Sequence, residues 1–277
     1  MSPTRRRRAL PSTSAMGDAV GANADREPTL LARARRALTE TNATMGALHG
    51  ATLKCVYQYA VRLEADSQLL MAESMYHRCY CGGHETLGRR HAMTLRARHG
   101  LATVLYAQAR RALRKRRHTS RLGLSGMRGR AERCANPRGL LREARQHYAA
   151  AAEGRATTLG AHHLATLASL QCLACVVRAT GDICAAERLH RTVLVLKTAA
   201  LGARHVSTLT SAVNLGALIL QQRRYGAAVL LLGTTLEGCA ATLGATHART
   251  RRVARLHGRA IAGDAAAAVS SASSSAS

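Results

Sequence analysis

Leu201-Gly202-Ala203-Arg204-His205-Val206-Ser207-Thr208-Leu209 is the stretch on which the fold turns, because it recurs. The same pattern of Leu or Met, then Gly, then His three positions on and Thr three after that, stands at 45–52, 87–94, 159–166 and 243–250. The five histidines, His49, His91, His163, His205 and His247, are spaced 42, 72, 42 and 42 residues apart. The long interval is one period plus an insertion of 30 residues. A fixed period of this length marks a stack of repeated supersecondary units.

The interior of the unit carries its own register. Eleven residues after each histidine the residue is small: Ala60, Ala102, Ala174, Gly216 and Gly258. A second small series follows at Ala72, Ala144, Ala186 and Ala228. Two small sites per unit let two antiparallel helices approach closely. Asp66-Ser67, Pro137-Arg138-Gly139 and Thr180-Gly181-Asp182 are turn signals between the two series. Each unit therefore reads as helix A, turn, helix B, turn. The linker Gly is read as a left-handed C′ residue, and Ser or Thr before the next apolar run as the N-cap. Five histidines at one repeat position read as structural groups packed in the linker and bonded to backbone.

The Leu-Gly-x-x-His-x-x-Thr-Leu linker, Asn214-Leu215-Gly216, Ala186-Glu187-x-Leu189 and Ala72-Glu73-x-x-Tyr76 together resemble the tetratricopeptide repeat of the 42-residue, kinesin light chain-like type. The resemblance covers roughly residues 27–262 and implies an all-α, right-handed α-solenoid. It departs from the pattern in lacking Pro after the linker His, and in placing Gln58, Gly100 and Cys172 where Asn214 stands. Residues 1–26 hold no counterpart of the heptad region by which kinesin light chains join the kinesin heavy chain. The resemblance further implies that helices A line a concave groove holding an extended peptide. By register the groove candidates are Lys54, Tyr57, Gln58, Arg96, His99, Tyr106, Gln171, Arg178 and Asn214. In that family an Asn at the Asn214 position bonds peptide backbone, and basic residues at positions such as Lys54 and Arg96 hold carboxylates. The expected partner is an acidic segment with an apolar anchor, the groove reading as basic in its N-terminal half and apolar in its C-terminal half.

Composition frames this reading. The net charge is +26, with 41 basic residues of which only Lys54, Lys115 and Lys197 are lysine. Such a charge suits an anionic partner, whereas the Arg-over-Lys skew in an Ala- and Gly-rich chain equally fits coding bias. Trp and Phe are absent, and the tyrosines do not interleave with the arginine runs as base-stacking would need. Eight cysteines follow no framework spacing and read as reduced, packed thiols. Residues 1–20 lack the apolar core of a secretory signal, and no apolar run is read as a membrane span.

The domain plan is a basic tail over 1–26, the repeat array over 27–262 interrupted at 110–138, and an Ala/Ser tail over 263–277, both tails being read as disordered. Arg5–Arg8 reads as a solvated run, with a nuclear address or a transit peptide as alternatives to a cytoplasmic protein. The 110–138 insertion holds ten Arg and Lys115 against Glu132; its start, Arg110 to Arg117, reads as an extension of helix A and the rest, with its core at His118 to Asn136, as a basic loop, either a basic arm or a tolerated insertion. Cys172-x-x-Cys175 has no second pair at zinc-finger distance, and Cys79-x-Cys81 has no positioned base, so no metal, cofactor or nucleophile is assigned. Without paired carboxylates or a phosphate loop the chain reads as non-enzymatic. Three functional readings stand: a groove adaptor, a nucleic-acid binder using the Arg-rich insertion, and a module of a larger multidomain protein.

Overall fold

The computed structural model describes residues 29–121 and 136–275. The described residues form ten helices and no strand: α1 (Leu30–Met45), α2 (Gly50–Ala65), α3 (Leu69–Thr86), α4 (Ala92–Arg121), α5 (Pro137–Leu159), α6 (Leu164–Thr180), α7 (Ile183–Leu201), α8 (Val206–Gln221), α9 (Tyr225–Leu243) and α10 (Ala248–Ser275). Each helix packs against the next in sequence, which makes the array an all-α solenoid. The even-numbered helices are the A helices, and α1 is an unpaired B helix at one end. The expected tail at 1–26 lies outside the described residues.

The linker explains why the signature repeats. Gly46, Gly160, Gly202 and Gly244 sit at φ of 87, 94, 85 and 84° with ψ of 164, 158, 158 and 158°. This is an extended, positive-φ region open only to glycine, not the left-handed helical region expected from the sequence. The chain turns there without a left-handed residue because the histidine, not Ser or Thr, is the cap. Nδ1 of His49, His91, His163, His205 and His247 accepts the backbone N–H two residues on, at 3.1–3.2 Å. The Thr then reaches back across the linker: Thr52, Thr166 and Thr250 donate to the carbonyls of Gly46, Gly160 and Gly244 at 2.7, 2.9 and 2.8 Å. Gly, His and Thr thus close one turn among themselves, independent of what the neighbouring helices carry.

The small series packs as expected except at Gly258, in the last A helix, which is exposed and where a Cβ would meet nothing within 4 Å. Ala60, Ala102 and Ala174 of the A helices, and Ala72, Ala144, Ala186 and Ala228 of the B helices, are fully buried. Gly100 replaces Asn because a Cβ there would lie 2.4 Å from the Tyr76 ring. A turns into B through Ser67, Gly181 and Arg223, one repeat position with φ of 60, 97 and 61°. Two of the three are strained non-glycine residues in the left-handed region.

Three boundaries differ from the sequence expectation. Pro137-Arg138-Gly139 is not a turn but the first turn of α5, because Asn136 Oδ1 caps the N–H groups of Arg138 and Gly139 at 3.2 and 3.3 Å and Pro137 fits the first helical position. Helix α4 includes the extension expected over 110–117 and runs on to Arg121, four residues into the expected loop, while 122–135 lie outside the described residues. The Ala-rich stretch from 263 continues α10 to Ser275, alanine being the strongest helix former.

Buried residues form one large cluster from Leu38 to Val176, a second from Leu209 to Ala260, and between them Val177, Ala186 and Leu218. Helix α9 is long and apolar enough by length and composition to cross a membrane, which the sequence reading of spans does not anticipate. In the array it packs as an ordinary B helix, burying Ala228, Leu232, Thr235 and Cys239. Neighbouring repeats are also clamped by polar bonds. Buried Glu187 accepts from Gln222 and Arg224 at 2.7 and 2.8 Å and pairs with Arg191. The same position two repeats upstream, Glu73, accepts from Gln108 at 2.6 Å.

Candidate binding groove

Successive A helices touch one another, α2 with α4, α4 with α6 and α8 with α10, whereas among the described residues B helices show no comparable contact with the next B helix. Elements that approach more closely lie on the inner radius of a superhelix, so the A helices form the concave face. Histidine-capped starts and small-residue contacts hold these helices in register, and the side chains between them make the groove.

Tyr57 of α2 packs edge-to-face on Tyr76, centroids 5.6 Å apart, and stays half-buried with Arg96 close enough to oppose its burial-driven pKa rise. His99 of α4 lies within 3.2 Å of Ser169 Oγ and stacks edge-on against Tyr148 at 5.1 Å. Burial first, and the Arg155 charge second, hold His99 near a pKa of about 4, so it is neutral at physiological pH. Tyr106 donates to the Cys175 carbonyl at 3.4 Å and carries the Arg110 guanidinium 5.6 Å from its ring centroid. Gln171 Oε1 accepts from Lys197 and, at 3.2 Å, from Ser211. Arg178 is half-buried beside Tyr106 and Cys175. Lys54 and Gln58 line the same face. Lys54 and Gln58 are exposed, Asn214 is half-buried, and none of the three is bonded through its side chain to other described residues.

Register along the A helices finds those nine positions but not four further cations. Arg155 and Lys197 belong to B helices, α5 and α7, one repeat apart, and are 7 and 4 % exposed. Arg155 threads between A helices to donate from Nη1 to Ser169 Oγ at 2.7 Å and the Ala165 carbonyl at 3.0 Å. Burial pushes the pKa of both cations down, and both act on the thiol of Cys172, which burial holds up at about 11. Arg110 and Arg252 bear on Cys175 together with Arg178 and Lys197. The positive charge is therefore not confined to the N-terminal half. Arg252 is legible by counting on from Arg96 through the intervals of 72, 42 and 42. The pair Arg155 and Lys197 shows the same spacing, but nothing in the sequence says that a B-helix side chain passes through to the groove.

Among the described residues no carboxylate ion-pairs with Arg96, Arg110, Arg155, Arg178, Lys197 or Arg252. Two of these are buried, where a charge without a counter-charge is costly. Cys172 and Cys175 are half-buried thiols in the same face, and among the described residues no three of His, Cys, Asp and Glu converge as metal ligands.

Comparison with known proteins agrees with the architecture. Residues 166–207 and 208–249 match the tetratricopeptide repeat family model. No curated protein matches the chain in sequence. Among solved structures the chain is similar to the kinesin light chain nearly identical TPR-like repeats of Podosopora anserina. A single-substitution form of those repeats gives a TM-score of 0.60 at 20 % identity, over 77 % of this chain and 86 % of that one. A second structure of them gives a TM-score of 0.58 at 20 % identity, over 76 % of this chain and 86 % of that one. BtubC (BKLC) from P. vanneervenii superposes with a TM-score of 0.56 at 15 % identity, over 88 % of this chain and 91 % of that one.

Proposed function

We propose that this array of tetratricopeptide repeats is a non-enzymatic adaptor, kinesin light chain-like in its use of the groove, that captures an extended acidic segment of a partner protein. The observation that carries the reading is the set of groove cations without carboxylate partners, above all the buried Arg155 and Lys197. A protein gains nothing in stability by burying such charges unpaired, so a partner's carboxylates are the natural complement. Half-buried Tyr57 and Tyr106 and the thiol face of Cys172 and Cys175 supply apolar area for an anchoring side chain between the acids.

The test is fluorescence anisotropy with a labelled ten-residue peptide of alternating Glu and Leu against its Gln-for-Glu counterpart. The acidic peptide binds and the neutral one is at least tenfold weaker. Arg155→Gln and Lys197→Gln each reduce acidic-peptide binding roughly tenfold, as expected for loss of a charge-assisted contact. Equal binding of both peptides, or binding unchanged in both variants, overturns the reading.

A further inference from the structure

Helix α4 is 30 residues long, against 16 or 17 for α2, α6 and α8, the other A helices flanked by a following B helix. By register the equivalent of Thr180, where α6 ends, is Gln108; α4 therefore runs 13 residues further, to Arg121. At 1.5 Å per residue this adds about 20 Å of helix. The extension is two-faced. Ala109 is buried and Leu113 packs against the large core cluster, which ties its first turns to the array. Arg110, Arg111, Arg114, Arg117 and His118 are exposed.

Arg110, Arg114 and Arg117 follow one another at steps of four and three, so they lie on one face of α4, in line with Tyr106. Tyr106 is a groove residue, and Arg110 already lies over its ring while bearing on Cys175 in the facing helix. The stripe thus begins in the groove and leaves it over the rim of the second repeat. No carboxylate among the described residues pairs with Arg110, Arg114 or Arg117.

We infer that this face of α4 is a basic rail that extends the groove, and that the acidic segment held in the groove continues along Arg110, Arg114 and Arg117 for about three further residues. The length follows from about 10 Å of helix between Arg110 and Arg117 and roughly 3.3 Å per residue of extended chain. The inference rests on the groove reading above and adds the partner's extent: its acidic stretch is longer than the groove and leaves it at one side. Charge complementarity fixes the occupant's chemistry, and continuity with Tyr106 and Cys175 favours the same polypeptide over a separate ligand. A nucleic-acid duplex would meet the rail's charge, but its bases are already stacked in the helix and cannot use the junction with a tyrosine- and thiol-lined groove.

The experiment uses the full chain and three labelled peptides: the alternating Glu-Leu ten-mer, and the same ten-mer with three glutamates added at its N-terminus or at its C-terminus. The expected result is a roughly tenfold tighter Kd for one tailed peptide and not the other, because the rail stands at one rim. Arg114→Gln with Arg117→Gln removes that gain and leaves the untailed ten-mer unchanged. These two side chains are solvent-facing, so the variant folds, and its unchanged ten-mer binding reports this directly. A gain that survives in the variant, or equal gains from both tails, overturns the rail while leaving the groove reading intact. Failure of the untailed peptide to bind wild-type protein overturns the groove reading instead. A 16-base-pair duplex DNA that binds more tightly than the tailed peptide, and loses its binding in the rail variant, replaces the acidic segment by nucleic acid as the rail's occupant.

Discussion

Glu187 and the pair Arg155 and Lys197 are buried to the same degree, at 7, 7 and 4 % exposure, and they are treated in opposite ways. Glu187 is fully answered within the fold: Gln222, Arg224 and Arg191 converge on its two oxygens. The Gln222 hydrogen bond, followed by those arginines, outweighs burial and holds its carboxyl below the ordinary value of 4.5. Arg155 and Lys197 receive only neutral acceptors, a serine hydroxyl, a glutamine oxygen and backbone carbonyls. Glu187 joins α7 to the turn between α8 and α9; Arg155 and Lys197 reach from B helices to acceptors on the neighbouring A helices. The contrast separates a charge answered by counter-charges across a repeat junction from charges that no carboxylate among the described residues answers.

His190, 1 % exposed with Nδ1 unbonded, offers the largest effect and a third way of treating a buried ionisable group, which is to stay neutral. Burial, assisted by Arg178, lowers its pKa from 6.5 to about 4. Its stabilisation is complete above pH 6.5 and is lost as pH falls towards 4, because the unfolded chain takes the proton first. The loss attributable to His190 is about 3 kcal/mol across that window. Urea unfolding at about pH 7 and about pH 4.5, either side of most of that window, measures it. His190→Leu flattens the profile except for the share that His99 contributes in the same range. A profile unchanged by the substitution removes His190 from the comparison.

Glu187→Leu comes next, with a loss of about 2 kcal/mol in urea unfolding, moderated because Arg191 and Arg224 are half-exposed and regain water. The wild-type carboxylate's own contribution is present above pH 4.5 and disappears as pH falls below it, so its window lies under that of the histidines. A smaller loss, about 1 kcal/mol, is expected for Gln108→Leu, which removes the donor to Glu73 at the equivalent junction. Loss of the linker cap in His163→Ala costs about 1 kcal/mol as well. Lys197→Met completes the series with no loss or a gain of up to about 1 kcal/mol, since it removes a desolvated charge that the fold leaves without a carboxylate. Were Lys197→Met to cost as much as Glu187→Leu, the two kinds of buried charge would be one kind, and the groove cations would be structural.

The particular residues show how far reading by register reaches. Tyr57, His99, Tyr106, Gln171 and Arg178 are placed from the repeat alone, and the structure sets each on the A-helix face. Arg252 is within reach of the same counting. Arg155 and Lys197 are not, because periodicity assigns a residue to a helix and a face but not to what a long, flexible side chain threads between. The linker histidine reads as structural but not as the cap, since Nδ1 acting as acceptor depends on a tautomer and a backbone geometry that composition does not express.

The sequence by itself determined the repeat, its 42-residue period, the alternation of A and B helices, and the small residues at their crossings. These are local or nearest-neighbour properties, and a helix-turn-helix unit states them anew in each copy. Tertiary structure alone decided which charges are answered and which are left open. That depends on groups distant in sequence meeting at a junction, as Arg155 meets Ser169 and Glu187 meets Gln222 and Arg224. The cost of a buried charge is set by such neighbours, and the curvature that gathers Tyr57, Arg96, Arg155 and Cys172 on one face appears only when the units are stacked.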